Sequence, residues 1–278
     1  MGILKRILKI LSMIVFLVCA YSLVKLLIID PYLSNKATDE IKKLYYDDDI
    51  SYEDRFKALV ALNPDIVGWI FISNTNVDYP VLYRKNDPNY YLHHNYKREA
   101  SRYGSIFIDS ACEIGRTTSK NIIIHGHHMR DKSMFADILK FSDLDFYKEN
   151  PVIEFDTVYE QANWKIISLF KTNTLSEQGK IFNYCIPDFK SSEAFIKFVN
   201  DIRIRSLIDT PVDVNEEDML ITLSTCSYEF TDFRTVLVAR KVRPEEDRFV
   251  DTSEAKKASN PLMPACHYER YGGTPPVY

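Results

Sequence analysis

The sequence predicts a mainly β fold. The expected architecture is a closed eight-stranded β-barrel with N-terminal helices and one long helix inserted before the strand that ends at Cys226, all preceded by a transmembrane helix. Three observations predict it. An apolar stretch runs from Ile10 to Ile29. Beyond Pro64 the chain breaks into eight short apolar runs bounded by turn residues, the texture of a barrel rather than of alternating strands and helices. A single amphipathic stripe, Phe195, Phe198, Val199 and Ile202 at i, i+3, i+4 and i+7, marks the inserted helix.

The first element is the N-terminal span. Residues 1–9 form a short basic head, and residues 10–29 are long enough to cross a hydrocarbon core of ~30 Å as a helix. Lys5, Arg6 and Lys9 precede the span and Asp30 follows it. The positive-inside rule therefore puts the N-terminus in the cytoplasm and the remainder outside, with a single pass through the cell membrane and contact with membrane lipid through this helix. Lys25, near the outer end, reaches the headgroups by snorkelling. The alternative is a secretory signal cleaved after Val18-Cys19-Ala20; the further apolar residues up to Ile29 favour the anchor.

Residues 30–63 read as a helical segment. Thr38 is the expected N-cap of a first helix with Ile41 and Leu44 on one face. A second helix covers Tyr52–Leu62, with Phe56, Leu59 and Val60 at helical spacing, and Asn63-Pro64 stops it. Asp47-Asp48-Asp49 is a solvated turn between the two. Residues 64–243 carry the strands, expected at Gly68–Ile72, Val77–Leu82, Ser105–Ile108, Asn121–His125, Val152–Phe155, Trp164–Lys171, Leu220–Thr225 and Thr235–Val242. Helices are expected at Ser133–Leu139 and Ser191–Leu207, the stripe of the second facing the core. Residues 244–278 are polar and hold Pro244, Pro261, Pro264, Pro275 and Pro276; they read as an extended tail in which Cys266 and His267 are incidental.

Composition removes several function classes. Apolar residues make up 46% and aromatic residues 13% of 278 residues, so the chain is not disordered overall. The eight glycines form neither a dinucleotide nor a P-loop pattern. The net charge is −4 although residues 1–29 hold four cations and no acid, so the exported body is acidic and unsuited to nucleic acid. Five cysteines at 19, 112, 185, 226 and 266 show no paired spacing, which argues against a disulfide scaffold or a four-cysteine zinc site.

Two segments carry chemistry. Thr222-Leu223-Ser224-Thr225-Cys226 ends a strand, and Arg234 opens the next one; Asn121–His125 is a strand running into Gly126-His127-His128-Met129. A thiol at a strand end can face a cleft, and a neighbouring imidazolium or guanidinium raises its thiolate fraction. A buried structural cysteine fits the same residues. A metal reading of His125, His127 and His128 fails for want of an acid, because Met129 and Arg130 stand at the spacing where one is required.

Taken together, these segments resemble the sortases, the cysteine transpeptidases of Gram-positive cell surfaces. Thr222–Cys226 is similar to the family's T-L-x-T-C signature, Arg234 falls where the family has its arginine, and Gly126-His127 with Asp131, Ser133, Met134 and Phe135 resembles the segment around the family's histidine. Asn63–Ile70, Val77–Val81, Tyr90–Leu92 and Gly104–Asp109 resemble class B members, and the likeness spans roughly residues 38–243. His125 stands where tyrosine is common in that class.

The resemblance implies a membrane-anchored transpeptidase whose barrel holds Cys226 as nucleophile, His127 as general acid and base, and Arg234 as oxyanion stabiliser, with Ser224 and Thr225 touching substrate. It implies no metal and no organic cofactor. The partners it implies are surface proteins bearing a C-terminal sorting motif of the N-P-x-T-x or S/N-P-x-T-G kind, cleaved after Thr, and an amine of the peptidoglycan precursor as acceptor. Two alternatives stand beside it: a cysteine peptidase that hydrolyses the same motif, and a non-catalytic barrel that binds wall peptides.

Overall fold

The computed structural model describes residues 2–115 and 117–277; Met1 and Tyr278, the ends of the N-terminal and C-terminal segments defined above, lie outside them. The chain divides into two compact units, residues 1–48 and residues 49–278.

The first unit is helical from Gly2 to Tyr45: α1 (Gly2–Val24), a π turn at Lys25–Ile29 and α2 (Asp30–Tyr45). This run is long and apolar enough to cross a membrane. Thr38 does not cap a helix. It lies inside α2, where its hydroxyl donates to the Ser34 carbonyl at 3.0 Å. The helix continues through residues 30–45, which hold no glycine, and Pro31 directly follows the π turn.

The second unit begins with α3 (Tyr52–Leu62), capped by Ser51, whose hydroxyl oxygen accepts from Asp54 N. The strands follow: β1 (Ile66–Phe71), β2 (Asp78–Tyr83), β3 (Ile106–Ile108), β4 (Asn121–His125), β5 (Val152–Thr157), β6 (Asn163–Thr172), β7 (Ile208–Asp209), β8 (Leu220–Ser227), β9 (Phe233–Lys241) and β10 (Lys256–Lys257). Eight of them close a barrel in the order β1-β2-β3-β4-β8-β9-β6-β5. Each expected strand is present, its ends shifted by about two residues at most. The β2–β3 and β4–β8 pairs are parallel; the other barrel pairs are antiparallel.

All eight barrel strands feed one core, among them Ile70, Val81, Ile106, Ile123, Ile153, Leu169, Ile221 and Leu237. A second core forms where α5 (Ser192–Arg203) lays Phe195, Phe198, Val199 and Ile202 against Phe170, Val236 and Val238. Each such fully buried side chain contributes about 1.5–3 kcal/mol. The helix ends at Arg203 rather than Leu207, because Ser206 turns the chain into β7: its hydroxyl donates to Ile208 O at 2.7 Å and accepts from Leu169 N at 3.1 Å.

Two further expectations are corrected. The helix expected at Ser133–Leu139 is a 3₁₀ turn at Ala136–Ser142 followed by α4 (Leu144–Glu149). Met134 has φ of +58°, which no helix accommodates. The segment after Arg243 is not a free extended tail. Its β10 pairs with β7, and it forms the short helix α6 (Ala265–Tyr271). Val250 joins the α5 core, Ala255 joins the barrel core, and Cys266 is buried. A few well-spaced apolar anchors hold a stretch whose average composition is polar.

Candidate active site

The strand register explains how distant residues meet. β4 and β8 run parallel with His125 opposite Ser224, and Gly126 N donates to Ser224 O at 3.1 Å. His127 and Cys226, each two residues further on, therefore leave the same end of the barrel. Across the antiparallel β8–β9 pair, Cys226 lies directly opposite Arg234. Cys226 is half-buried and opens on a cavity of about 590 Å³ lined by the β8–β9 turn, Arg234, Gln178 and Arg270. Arg234 Nη1 donates to the carbonyl of Phe233 at 3.1 Å.

The turn that carries the imidazoles is built by its own sequence. A Cβ on Gly126 would lie 2.5 Å from Ile106 Cδ1 and 2.7 Å from the Phe135 ring, so only glycine lets the chain pass. Asp131 closes the loop: its Oδ1 accepts from Ser133 N and Oγ at 3.1 and 2.6 Å, and its Oδ2 accepts from Tyr103 OH at 2.6 Å. These bonds hold the Asp131 carboxyl below the usual range, although burial pushes the other way. Phe135 N donates to His127 O at 2.9 Å, and Met134 N donates to Tyr79 OH at 3.1 Å.

Each of the three neighbouring imidazoles has its own partner. His125 Nε2 lies 2.9 Å from Asp109 Oδ2, a bond that lowers the Asp109 carboxyl against the effect of burial. His127 Nε2 lies 2.8 Å from Leu92 O. His128 Nδ1 lies 2.9 Å from Cys226 O, and its own carbonyl accepts from Tyr228 OH at 2.6 Å. A carbonyl only accepts, so His127 carries a proton on Nε2, which leaves Nδ1 as the nitrogen that can take or give a proton. The three rings do not share a metal site. Among the described residues, the one group of metal-capable side chains that converges is Asp109, His125 and Cys185.

Leu92 is held in place from α3. The buried Asn63 amide donates to Tyr91 OH at 3.0 Å and to Tyr96 O at 2.7 Å, and Tyr91 OH donates to Asp65 Oδ2 at 2.6 Å. The Asn63-Pro64 stop signal thus also fixes the 3₁₀ turn Tyr90–Leu92 whose last carbonyl faces His127.

Ser224 and Thr225 are both buried. The Ser224 hydroxyl exchanges a 2.8 Å hydrogen bond with Tyr184 OH, and the Thr225 hydroxyl has no hydrogen-bond partner. Next to Tyr184, the Cys185 thiol is pushed up to about 11 by burial and by the Asp109 charge, with the Arg234 charge acting in the opposite direction. Glu229 in the β8–β9 turn is ionised beyond the usual carboxylate tendency: burial alone raises it, but Lys171 and Ser227 outweigh that.

Sequence reasoning missed four residues here. Leu92 acts through a backbone carbonyl, a role the Tyr90–Leu92 resemblance does not assign, and Tyr184 through a hydroxyl that no motif marks. Arg270 comes from the segment read as tail; its guanidinium donates to Glu229 O at 2.7 Å and packs 5.2 Å from the Phe230 ring centre. His128 was visible only as one imidazole among three.

The Sortase domain family profile matches residues 70–242. The Sortase B protein of Staphylococcus aureus (strain NCTC 8325 / PS 47) is 35% identical over 191 residues, covering 68% of this chain and 75% of that protein. The Sortase B protein of Listeria monocytogenes serovar 1/2a (strain ATCC BAA-679 / EGD-e) is 38% identical over 176 residues, 63% of this chain and 68% of that protein. A solved Staphylococcus aureus sortase B–substrate complex superposes with a TM-score of 0.69 at 30% identity, covering 77% of this chain and 99% of that one.

Proposed function

Because the chain belongs to the sortase family, and within it to class B, we propose that it is a membrane-anchored transpeptidase in which Cys226, His127 and Arg234 carry the chemistry. A surface protein presents a C-terminal sorting motif to the barrel. The Cys226 thiolate attacks the threonine carbonyl, and Arg234 receives the negative charge that develops on its oxygen. His127 protonates the leaving amine from Nδ1, and a thioacyl-enzyme remains. An amine of the peptidoglycan precursor then attacks the thioester carbonyl, gives its proton to His127 and releases the sulfur, so a new amide bond forms as the thioester breaks.

The observation that carries this reading is the cross-strand pairing of Cys226 with Arg234 beside the cavity. A guanidinium on the neighbouring strand supplies donors for an oxyanion formed next to the sulfur. The positioned His127 adds the proton carrier. The N-terminal helix serves the same reaction by tethering the enzyme where exported substrate and lipid-linked acceptor meet, which raises their effective concentration.

The test uses the full chain in detergent micelles with fluorescent peptides of both motif kinds. Cleavage is expected, the acyl product is expected to move to an added amine, and Cys226→Ala is expected to abolish both. Undiminished cleavage by Cys226→Ala refutes the nucleophile assignment. Product that is only hydrolysed at high amine concentration refutes transfer and leaves a peptidase. Recovery of the native protein in the membrane fraction is the matching expectation for the anchor.

A further inference from the structure

Cys185 has no part in the chemistry above, yet the residues on both sides of it are tied to the barrel. It lies in the connection between β6 and α5. Tyr184 before it is tied to Ser224 of β8, and after it the carbonyls of Ile186 and Pro187 accept from the side-chain and backbone nitrogens of Asn121 on β4, at 2.9 and 2.8 Å. The thiol is thereby delivered to the ends of β3 and β4, where Asp109 and His125 stand. Asp109 is also fixed: its backbone N donates to Ile123 O at 2.9 Å, its Oδ1 accepts from Ala111 N at 2.9 Å, and its Oδ2 faces His125. The ligand atoms of Asp109, His125 and Cys185 all lie within 4.8 Å of one another, and all three residues are partly buried.

We propose that Asp109, His125 and Cys185 form a binding site for a zinc-class divalent cation that fastens the β6–α5 connection to the barrel. The donor set decides the class. One carboxylate oxygen, one imidazole nitrogen and one thiolate sulfur suit zinc, whereas calcium and magnesium require oxygen ligands. With metal–nitrogen and metal–sulfur distances of ~2.0 and ~2.3 Å, tetrahedral ligands stand roughly 3.3–3.8 Å apart, so the cluster closes on the ion with small side-chain movements. Water fills the fourth position. On binding, the thiol proton passes to solvent and the imidazole ligates in its neutral form, so the metal–sulfur bond replaces an S–H bond with no change of oxidation state. The bound ion links three segments, and the Tyr184–Ser224 bond places it one strand position before Thr225-Cys226.

The experiment uses full-length Cys226→Ala protein in detergent, which removes the half-buried Cys226 thiol and makes the result independent of the transpeptidase reading. Cobalt(II) is titrated as the spectroscopic stand-in for zinc. One equivalent is expected to bind with thiolate-to-metal charge-transfer absorption and the intense visible bands of a four-coordinate ion, and zinc is expected to displace it. Adding Cys185→Ser is expected to abolish the charge-transfer band. Asp109→Asn is expected to weaken cobalt binding by more than ~10-fold, because a neutral amide oxygen replaces a charged ligand. In the unaltered chain, zinc is expected to protect Cys185 from maleimide, mapped by mass spectrometry, which needs no variant to fold. Absence of the charge-transfer band in Cys226→Ala, its survival in Cys185→Ser, or equal labelling of Cys185 with and without zinc each overturns the proposal.

Discussion

At the scale of single residues, three imidazoles within four positions make the base ambiguous in the sequence, and their partners differentiate them in the fold. His125 is committed to the Asp109 carboxylate, His128 to the backbone of Cys226, and His127 to a single carbonyl that leaves Nδ1 available. Alanine at the three positions is therefore expected to act unequally in metal-free buffer. His127→Ala loses most transfer activity. His128→Ala has an intermediate effect, because the Cys226 backbone loses a support. His125→Ala retains the greater part. Equal losses at all three refute the assignment of His127. Arg234→Ala is expected to lower kcat by ~10²–10³, the usual effect of removing an oxyanion donor; stopped assays with saturating peptide read this directly, and an unchanged kcat takes Arg234 out of that role.

At the scale of elements, the site depends on how tightly the β4 end and the following turn are packed. Ile106 and Phe135 leave no space for a Cβ at position 126. Gly126→Ala is expected to destabilise the protein by about 1–3 kcal/mol, the cost of overpacking, and to reduce activity by shifting His127 and His128. Thermal melting followed by circular dichroism checks the first effect, and an unchanged Tm contradicts the packing argument. The strands and α5 were legible because alternation and the 3.6-residue stripe record which side faces apolar neighbours. The helix expected at Ser133–Leu139 does not start there because Met134, just beyond the Asp131–Ser133 turn, takes a positive φ.

At the scale of the whole molecule, a network of charges ties the last barrel strand to the C-terminal segment. Buried Arg240 on β9 donates to both oxygens of Glu246 at 2.6 and 2.8 Å, and Lys165 on β6 donates to the same carboxylate at 2.7 Å. These bonds, Arg240 first, hold the Glu246 carboxyl far below its ordinary value despite burial. A carboxyl depressed in the folded state stabilises the protein above its unfolded value, near pH 4.5, and the contribution falls away as the pH drops below that toward the folded value. Glu246→Gln is expected to cost about 1.5–3 kcal/mol at pH 7, and the gap to the unaltered protein is expected to narrow steadily below pH ~4. Denaturant melts across that range measure it; a gap independent of pH contradicts the ion-pair account.

The sequence by itself determined the apolar N-terminal helix, the eight strands, the helix between β7's approach and β6, and the family, because each of these is written in local periodicity or in a short motif. Residues 244–277 were not legible: their anchors Val250, Ala255 and Cys266 are too sparse to register in composition, and only the folded barrel supplies the surfaces they fill. The site divides in the same way. Cys226, His127 and Arg234 stood out by motif, while the carbonyl of Leu92, the hydroxyl of Tyr184 and the meeting of Cys185 with Asp109 and His125 depend on the parallel register of β4 with β8 and on a long connection folded back over them. Tertiary structure decided these because contacts between residues far apart in the chain arise from register and packing, which no local pattern encodes.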